Sequence, residues 1–400
     1  MACEQVTLQD VCELIVDCPH TSAKDEGVGY PLIRTPNVGR GRLILTDVHR
    51  VSQDVYERRV SRAVPRQGDL ILAREAPAGN VAIVSPGIEV CLGQRTMLLR
   101  PDSSFVVPEY LNYYLNAPEQ RDRMLRLANG ATVSHINVAD IRNMPVQLPS
   151  RGEQSKVAEL LNVLDDKIDL NNRLNDYLEQ LCQSLFNRFD NDENNPFVKV
   201  SDIADVNPRR TLKKGEEALC IEMADLSTTG AFPTDWRTKA YNGGVKFVNG
   251  DTILARITPC LENGKAGYIN FLEQDEVAFG STEYIVLTSK GELPSEFFYF
   301  LARNEDFISY ATAHMNGSSG RQRVSGSDVG NYEVRMPSEK QISEFRKIAG
   351  NAMRVISASS IESRKLAQLR DALLPKLMSG EIDASKVELT QLTNNHLADY

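Results

Sequence analysis

The heptapeptide GDLILAR at residues 68–74 returns at residues 250–256 as GDTILAR, and its surroundings return with it. VTLQDVCEL (6–14) faces VKVSDIADV (198–206), and PLIRTPNVG (31–39) faces LCIEMADLS (219–227). VCLGQ (90–94) faces VAFGS (277–281), VPEYLNYYL (107–115) faces LPSEFFYFL (293–301), and the polar stretch 127–154 faces 314–341. The order is kept throughout, so one unit of roughly 190 residues is written twice. A period that long means two homologous domains, not a stack of small repeats. The 400-residue length fits two or three domains with real cores.

Each copy opens on short β-rich runs broken by Gly, Pro and Asn: DLILAR, VAIV and TMLLR in one, DTILAR, AGYI and EYIVLT in the other. A short helix follows, introduced by Pro108 and Glu109 or by Pro294 and Glu296. Then come a polar loop and an apolar strand that ends in proline. A long helix begins after each of these prolines. The first is expected from about Glu153 to Phe189, with Val157, Leu161, Leu164, Ile168, Leu178, Cys182, Leu185 and Phe189 on an alternating 4–3 spacing. The second is expected from Glu339 to Leu374, where Pro375 should end it. Phe345, Ala349, Ala352, Ile356, Leu366 and Leu373 carry its rhythm. This is the pattern of a coiled-coil seam, in which polar Asn171 and Asn175 fix register at a cost in stability. Two amphipathic helices, each lying on its own domain, carry the same pattern. Paired and equivalently capped helices would run antiparallel and give the chain an internal pseudo-twofold axis. The expected fold class is α+β: two homologous, β-rich mixed α/β domains separated by two long antiparallel helices. Boundaries are expected at 1–150, 151–192, 193–337 and 338–385, with a tail at 386–400.

Charge and cysteine usage bear on partners and compartment. The net charge of −9 splits as −1, −4, −5 and +1 over residues 1–150, 151–192, 193–337 and 338–400. A nucleic-acid partner therefore needs local basic faces or a basic companion subunit. Fifteen of the sixteen bases in the first block are arginine. Their forked donors suit phosphate and guanine, although surface solubility produces the same bias. Seven scattered cysteines without a Cys-x-x-Cys pair read as reduced cytoplasmic thiols, neither a disulfide frame nor a zinc site. No secretory signal and no bilayer-length apolar run is expected. Nor are catalytic or metal-binding residues expected. There is no G-x-G-x-x-G after a strand, no phosphate-cradling P-loop and no Asn-Pro-Pro-aromatic motif. NPRR at 207–210 is not one. The Asp165-Asp166-Lys167 run weakly mimics a nuclease triplet but falls in mid-helix.

Base readout needs forked donors and acceptors: Arg or Lys to guanine, Asn or Gln to adenine. Two loops in each copy offer them. One holds Gly93, Gln94 and Arg95, matched by Gly280, Ser281 and Thr282. The other holds Asn129, Gly130, Thr132, Ser134 and His135, matched by Asn316, Gly317, Ser318, Ser319, Arg321, Gln322 and Arg323. Asn-Gly is also an ordinary turn, but the second loop differs between otherwise similar copies, as two different half-sites would demand. Arg74 and Arg256, at equivalent strand ends, fit a phosphate or a neighbouring carboxylate equally.

The segment LPSRGEQSKVAELLNVLDDKIDLNNRLNDYLEQLCQSLFNRF closely resembles the central region of specificity subunits of type I restriction–modification enzymes. MPSEKQISEFRKIAGNAMRVISASSIESRKLAQLRDALLPKLMSGEID resembles the distal equivalent. The resemblance covers about residues 1–385, and its most specific part is the proline–Glu–Gln helix entry, with Lys340 where Glu153 stands and Gln341 kept. It implies that each globular unit is a target recognition domain reading one half of a bipartite, asymmetric site in double-stranded DNA. The helix pair would set the gap and dock two methyltransferase subunits, with Gln154, Asp165, Asp169, Asn171, Asn175 and Gln341 as candidate partner contacts. Restriction/translocase subunits would join. S-adenosylmethionine, Mg²⁺ and ATP would sit on those partners, and no cofactor in this chain. A coiled-coil scaffold or regulator without sequence-specific DNA binding is the rival reading.

Overall fold

A computed structural model describes residues 4–128, 135–318 and 320–387. The chain divides into two units: Met1–Asp165 with Gln368–Tyr400, and Asp166–Ala367. No helix among the described residues is long and apolar enough to cross a membrane.

In the first unit a five-stranded sheet has the order Cys12–Asp17, Thr96–Pro101, Leu70–Ala73, Val81–Ile83, Gly41–Arg42. Its pairings are antiparallel except the last. Leu70–Ala73 is apolar throughout because both of its faces are covered. Leu70 and Leu72 enter a core with Leu111 and Val157, while Ile71 and Ala73 enter a second core with Ile33, Val90 and Leu98. A smaller sheet orders Arg50–Val51, Tyr30–Ile33 and Cys91–Leu92. Glu4–Thr7 pairs with Pro145–Leu148 and clasps the start of the domain to its end.

The second unit holds one four-stranded sheet in the order Ala204–Val206, Tyr284–Ser289, Thr252–Ala255, Ala266–Tyr268. A second sheet orders Arg237–Ala240, Glu217–Ile221, Ala278–Gly280 and Val245–Phe247. Leu254 and Ile253 again feed opposite cores. Phe197–Lys199 pairs with Glu333–Arg335 as the matching clasp.

The repeated heptapeptide now has a physical reason. Its glycine adopts a left-handed conformation in both copies, with φ of +84° at Gly68 and +86° at Gly250, where a side chain would be strained. Its aspartate is buried, 2% exposed at Asp69 and 0% at Asp251. Each carboxylate caps the turn before it, accepting from the N–H of Arg66 or Val248 at 2.8 Å. Each also holds an arginine, Arg100 at 2.8 Å or Arg210 at 2.9 Å. The apolar triplet is the core strand. The final arginine's carbonyl accepts the N–H of Ile136 or Val324. The peptide bonds Ala76–Pro77 and Thr258–Pro259 that follow are both cis.

Strand register corrects one detail of the sequence pairing. Ala73 faces Thr96 and Ala255 faces Tyr284, so Thr96 and Tyr284 hold the same place. Counting back, Gln94 answers to Thr282 and Arg95 to Glu283, one residue on from the pairing by glycine. The glycines misled because each is required separately. A Cβ at Gly93 would meet the Ile33 carbonyl at 2.8 Å, and one at Gly280 would clash with the Ile221 carbonyl.

The long helices run over Arg151–Asp190 and Glu339–Met378, and both cross the boundary between units. Their starts are capping boxes: Ser150 with Glu153, and Ser338 with Gln341. Gln341 therefore takes the place of Glu153, and buried Ile342 that of Gln154. Pro375 does not end the second helix as expected. An interior proline costs about 3 kcal/mol, but near the end it forfeits little, and burying Leu374 and Leu377 in the first unit's core returns about 1.5–3 kcal/mol each. The stop is Gly380 at φ +74°, whose N–H reaches the Leu377 carbonyl.

Within the second unit the two helices touch directly. Asn171 donates to the Ser359 carbonyl (3.3 Å), Glu362 (2.7 Å) and Ser363 (3.2 Å). Asn175 meets Ser359 and Ser360, and Arg188 meets Glu344 at 3.1 Å. Partner numbers fall as the helix's own numbers rise, so these stretches run in opposite directions. Cys182, Phe186, Phe189, Phe345, Ala349 and Ile356 form one core there with Phe297 and Phe300. Within the first unit, Asp165 accepts from Arg370 at 2.7 Å.

Candidate nucleic-acid interface

The described parts of the candidate loops, Gln94, Arg95 and His135 in the first copy and Ser281, Thr282, Gln322 and Arg323 in the second, lie at the end of the heptapeptide strand. In the first unit the Arg74 N–H reaches the Arg95 carbonyl, and Glu75 bridges to His135. In the second unit the Arg256 N–H reaches the Glu283 carbonyl, Ile257 bridges to Arg323, and the Thr258 N–H reaches the Gln322 carbonyl. Asn129, Thr132, Ser134 and Ser319 lie outside the described residues.

The residues brought together there differ in what they are free to do. Arg74 is closed: its Nη1 donates to both oxygens of Asp17 at 2.8 Å and its Nε to the Ile136 carbonyl. Of its two open readings, the carboxylate holds. Arg95 is 53% exposed and sits at φ +65°, 2.9 Å from Glu75. Gln94 is exposed, with its amide on the His20 carbonyl at 3.1 Å. Both line a recess with Arg34 and Arg59 that sequence reasoning missed. Arg59 is internal, donating to the carbonyls of Leu92 and Thr21. The Arg34 Nε is buried without a partner. The only signal for Arg34 was its place in the repeated PLIRTPNVG block.

In the second unit Arg323 is not available as a base reader. Its fork grips both oxygens of Glu283 at 2.7–3.0 Å. Ser281 accepts the Glu283 N–H at 3.1 Å, so it shapes the turn. Asn316 pairs with Arg323 across a hairpin turned at Gly317 and Gly320. Ser318 and Arg321 are exposed on that hairpin, Gln322 is half-buried, and Thr282 is exposed beside it. Arg256 lines a second recess, with Arg209, Arg210 and Lys246. NPRR thus contributes to the site although its spelling served only to exclude a methyltransferase motif.

The Glu283–Arg323 bond holds the Glu283 carboxyl below its usual range. Its contribution to anchoring the hairpin is full above that usual range and is lost as pH falls through the lowered value. Arg323→Gln is expected to return Glu283 to ordinary titration, read by carboxyl-carbon NMR; an unchanged midpoint refutes the anchor.

The helix residues proposed for partners are mostly turned inward. Gln154 is 2% exposed and accepts the Val107 N–H at 2.9 Å while donating to Pro149. It ties the helix to its own domain and leaves no atom for a partner. Asp165 is taken by Tyr113 (2.7 Å) and Arg370. Asn171 is buried between helices. Asn175 lines a cleft with Glu179, Asp169 pairs with Arg173 on the surface, and Gln341 caps its helix and donates to Asp192. What faces solvent instead is apolar: Leu170 (62% exposed), Leu174, Tyr177 (69%) and Leu181. Their 4–3–4 spacing is one helical stripe. The signal was present in the sequence, overlaid on the inward seam.

Comparisons with known proteins agree with this frame. Residues 2–180 match the family described as the type I restriction modification DNA specificity domain. The type I restriction enzyme HindI specificity subunit of Haemophilus influenzae is 21% identical over 399 residues, covering 79% of this chain and 87% of that protein. The MjaIX specificity subunit of Methanocaldococcus jannaschii is 22% identical over 375 residues, covering 84% and 83%. Among solved structures, the type I restriction-modification system S subunit from M. genitalium superposes with a TM-score of 0.59 at 16% identity, over 94% of this chain and 96% of that one. The two share a fold.

Proposed function

Starting from the similarity to type I restriction–modification specificity subunits, we propose that this chain belongs to that family and is the non-catalytic DNA-reading subunit of such a complex. Residues 1–150 and 193–337 are the two target recognition domains, each reading one half of a bipartite, asymmetric site. One observation carries this reading. The two units keep the same strand, turn and buried aspartate, yet at the strand end Arg95 answers to Glu283 and Gln94 to Thr282. A kept scaffold with changed tips is what two different half-sites require.

The long helices act as an antiparallel coiled coil that sets the spacer. Asn171 and Ser359 hold equivalent places in the two helices and bond to each other, as residues on a pseudo-twofold axis do. The stripe Leu170–Leu174–Tyr177–Leu181 is the docking face for a methyltransferase subunit, since Gln154, Asp165 and Asn171 are engaged within the chain. Two such subunits carry S-adenosylmethionine, and restriction/translocase subunits bring ATP and Mg²⁺. The test is to co-express the full chain with a type I methyltransferase subunit and map methylated bases. The expected motif has two short parts and a fixed gap. Seven residues added to each helix should lengthen it by about 10 Å and widen the gap by roughly three base pairs, with the bases unchanged. Methylation without a two-part motif overturns the reading and favours a scaffold.

A further inference from the structure

The heptapeptide's closing arginine has two fates, and the difference is physical. In the first unit the edge strand continues past Val16, which pairs with Leu98, to Asp17. That carboxylate lies against Arg74 at 2.8 Å and neutralises it. In the second unit Asn207 holds the place of Val16, its N–H on the Val286 carbonyl. There the backbone turns out at φ +56°, and Pro208 stands where Asp17 would be. Proline supplies no acid, and the next residue, Arg209, is exposed at the rim. Among the described residues the Arg256 guanidinium makes no hydrogen bond or ion pair, and its Nε is buried and orphaned.

The surroundings reinforce the charge. A recess of roughly 500 Å³ is lined by Arg209, Arg210, Lys246 and Arg256 together with Asn207 and Thr282. No acid lines it. Asp251 takes one Arg210 nitrogen at 2.9 Å, but the Arg210 Nε is also buried without a partner. Lys246 is held by the Arg210 carbonyl (3.2 Å) and lies over the Tyr241 ring (5.0 Å). Glu283, adjacent through its backbone, commits both oxygens to Arg323. Arg256 feels the Glu283 carboxylate only through space, without a direct bond, and two orphaned guanidinium donors in one recess, at Arg210 and Arg256, ask for an acceptor.

We infer that this recess seats a backbone phosphate of duplex DNA, and that the first unit has no equivalent seat because Asp17 occupies the place. The inference rests on the DNA-reading function proposed above. A phosphate fits better than a base edge. The Asn207 side-chain oxygen already accepts the Val286 N–H at 3.0 Å. Every charged residue of the lining is cationic, and a lysine acts there as a point charge without base preference.

The experiment uses the full chain with its methyltransferase partner and a duplex carrying the mapped site, titrated over a range of NaCl. Arg256→Gln and, separately, the exposed Arg209→Gln should weaken binding. Each should make the slope of log K against log salt shallower by about 0.9 per lost phosphate. The effect should be equal on the mapped duplex and on duplexes with one base changed. Arg74→Gln should leave the slope of the folded protein untouched. An unchanged slope in both Arg256→Gln and Arg209→Gln overturns the seat. So does a loss that depends on base identity, or displacement of the duplex by inorganic phosphate at constant ionic strength. A parent complex with no preference for the mapped duplex would instead sink the DNA-reading function itself.

Discussion

Asp69→Ala and Asp251→Ala are each expected to cost their own unit about 3–5 kcal/mol, the usual penalty for removing one partner of a buried ion pair. Each carboxylate is nearly sealed from water, caps a tight turn and holds an arginine. Alanine leaves Arg100 or Arg210 half-buried and unpaired and releases the turn that places Gly68 or Gly250. For units of this size the loss corresponds to a fall in transition temperature of about 6–20 °C. The chain has a single tryptophan, Trp236, packed on Phe271 in the second unit. Fluorescence therefore follows that unit alone. Asp251→Ala should move the fluorescence transition, and Asp69→Ala should move the far-UV circular dichroism transition first. A shift under 2 °C in both would show that the repeated aspartate is dispensable.

Exchange of residues 193–337 for the corresponding segment of another specificity subunit should change one half of the recognised site and leave the other half and the gap as they were. Each wrong base pair costs about 1–3 kcal/mol, so the old half-site should lose roughly fivefold to 160-fold per changed base pair. The joints are favourable because Asp192 and Gln341, which bond at 3.0 Å, both lie outside the exchanged stretch. One contact decides whether the product folds. Glu179, on the central helix, is half-buried, and its desolvation pushes its carboxyl up; it is held by the Tyr299 hydroxyl and the Ala231 N–H. A donor segment without a hydroxyl at position 299 strands that carboxyl, and restoring tyrosine there should rescue stability without altering the bases read. If both half-sites change, the two units do not read independently.

Much of the architecture was readable from residue order. The duplication located two units, and the 4–3 spacing located two helices whose inward residues (Cys182, Phe189, Phe345, Ala349) are buried as that spacing requires. Arg74 and Arg256 sit at equivalent strand ends, as the repeat placed them. Less was readable about individual contacts. Arg74 and Arg256 follow nearly the same local sequence, GDLILA and GDTILA, yet one is locked and the other open. The cause is a partner 57 residues earlier for Arg74 and, for Arg256, a strand that turns away at Asn207. The family resemblance made Gln154 a candidate partner contact, and it is an internal tie. The register slip between Gly93 and Gly280 arose because two glycines answered two separate close approaches.

Periodicity and repetition belong to the chain itself. The aspartate's turn cap, the left-handed glycine and the apolar triplet act within a few residues, so the sequence alone determined the strand, the turn and the doubling of the unit. Which arginine meets a carboxylate, which helix face stays apolar and open, and where the second helix stops depend on residues far apart in sequence. Those outcomes came only with tertiary structure, because a charge or a leucine takes its meaning from what else is excluded from water beside it.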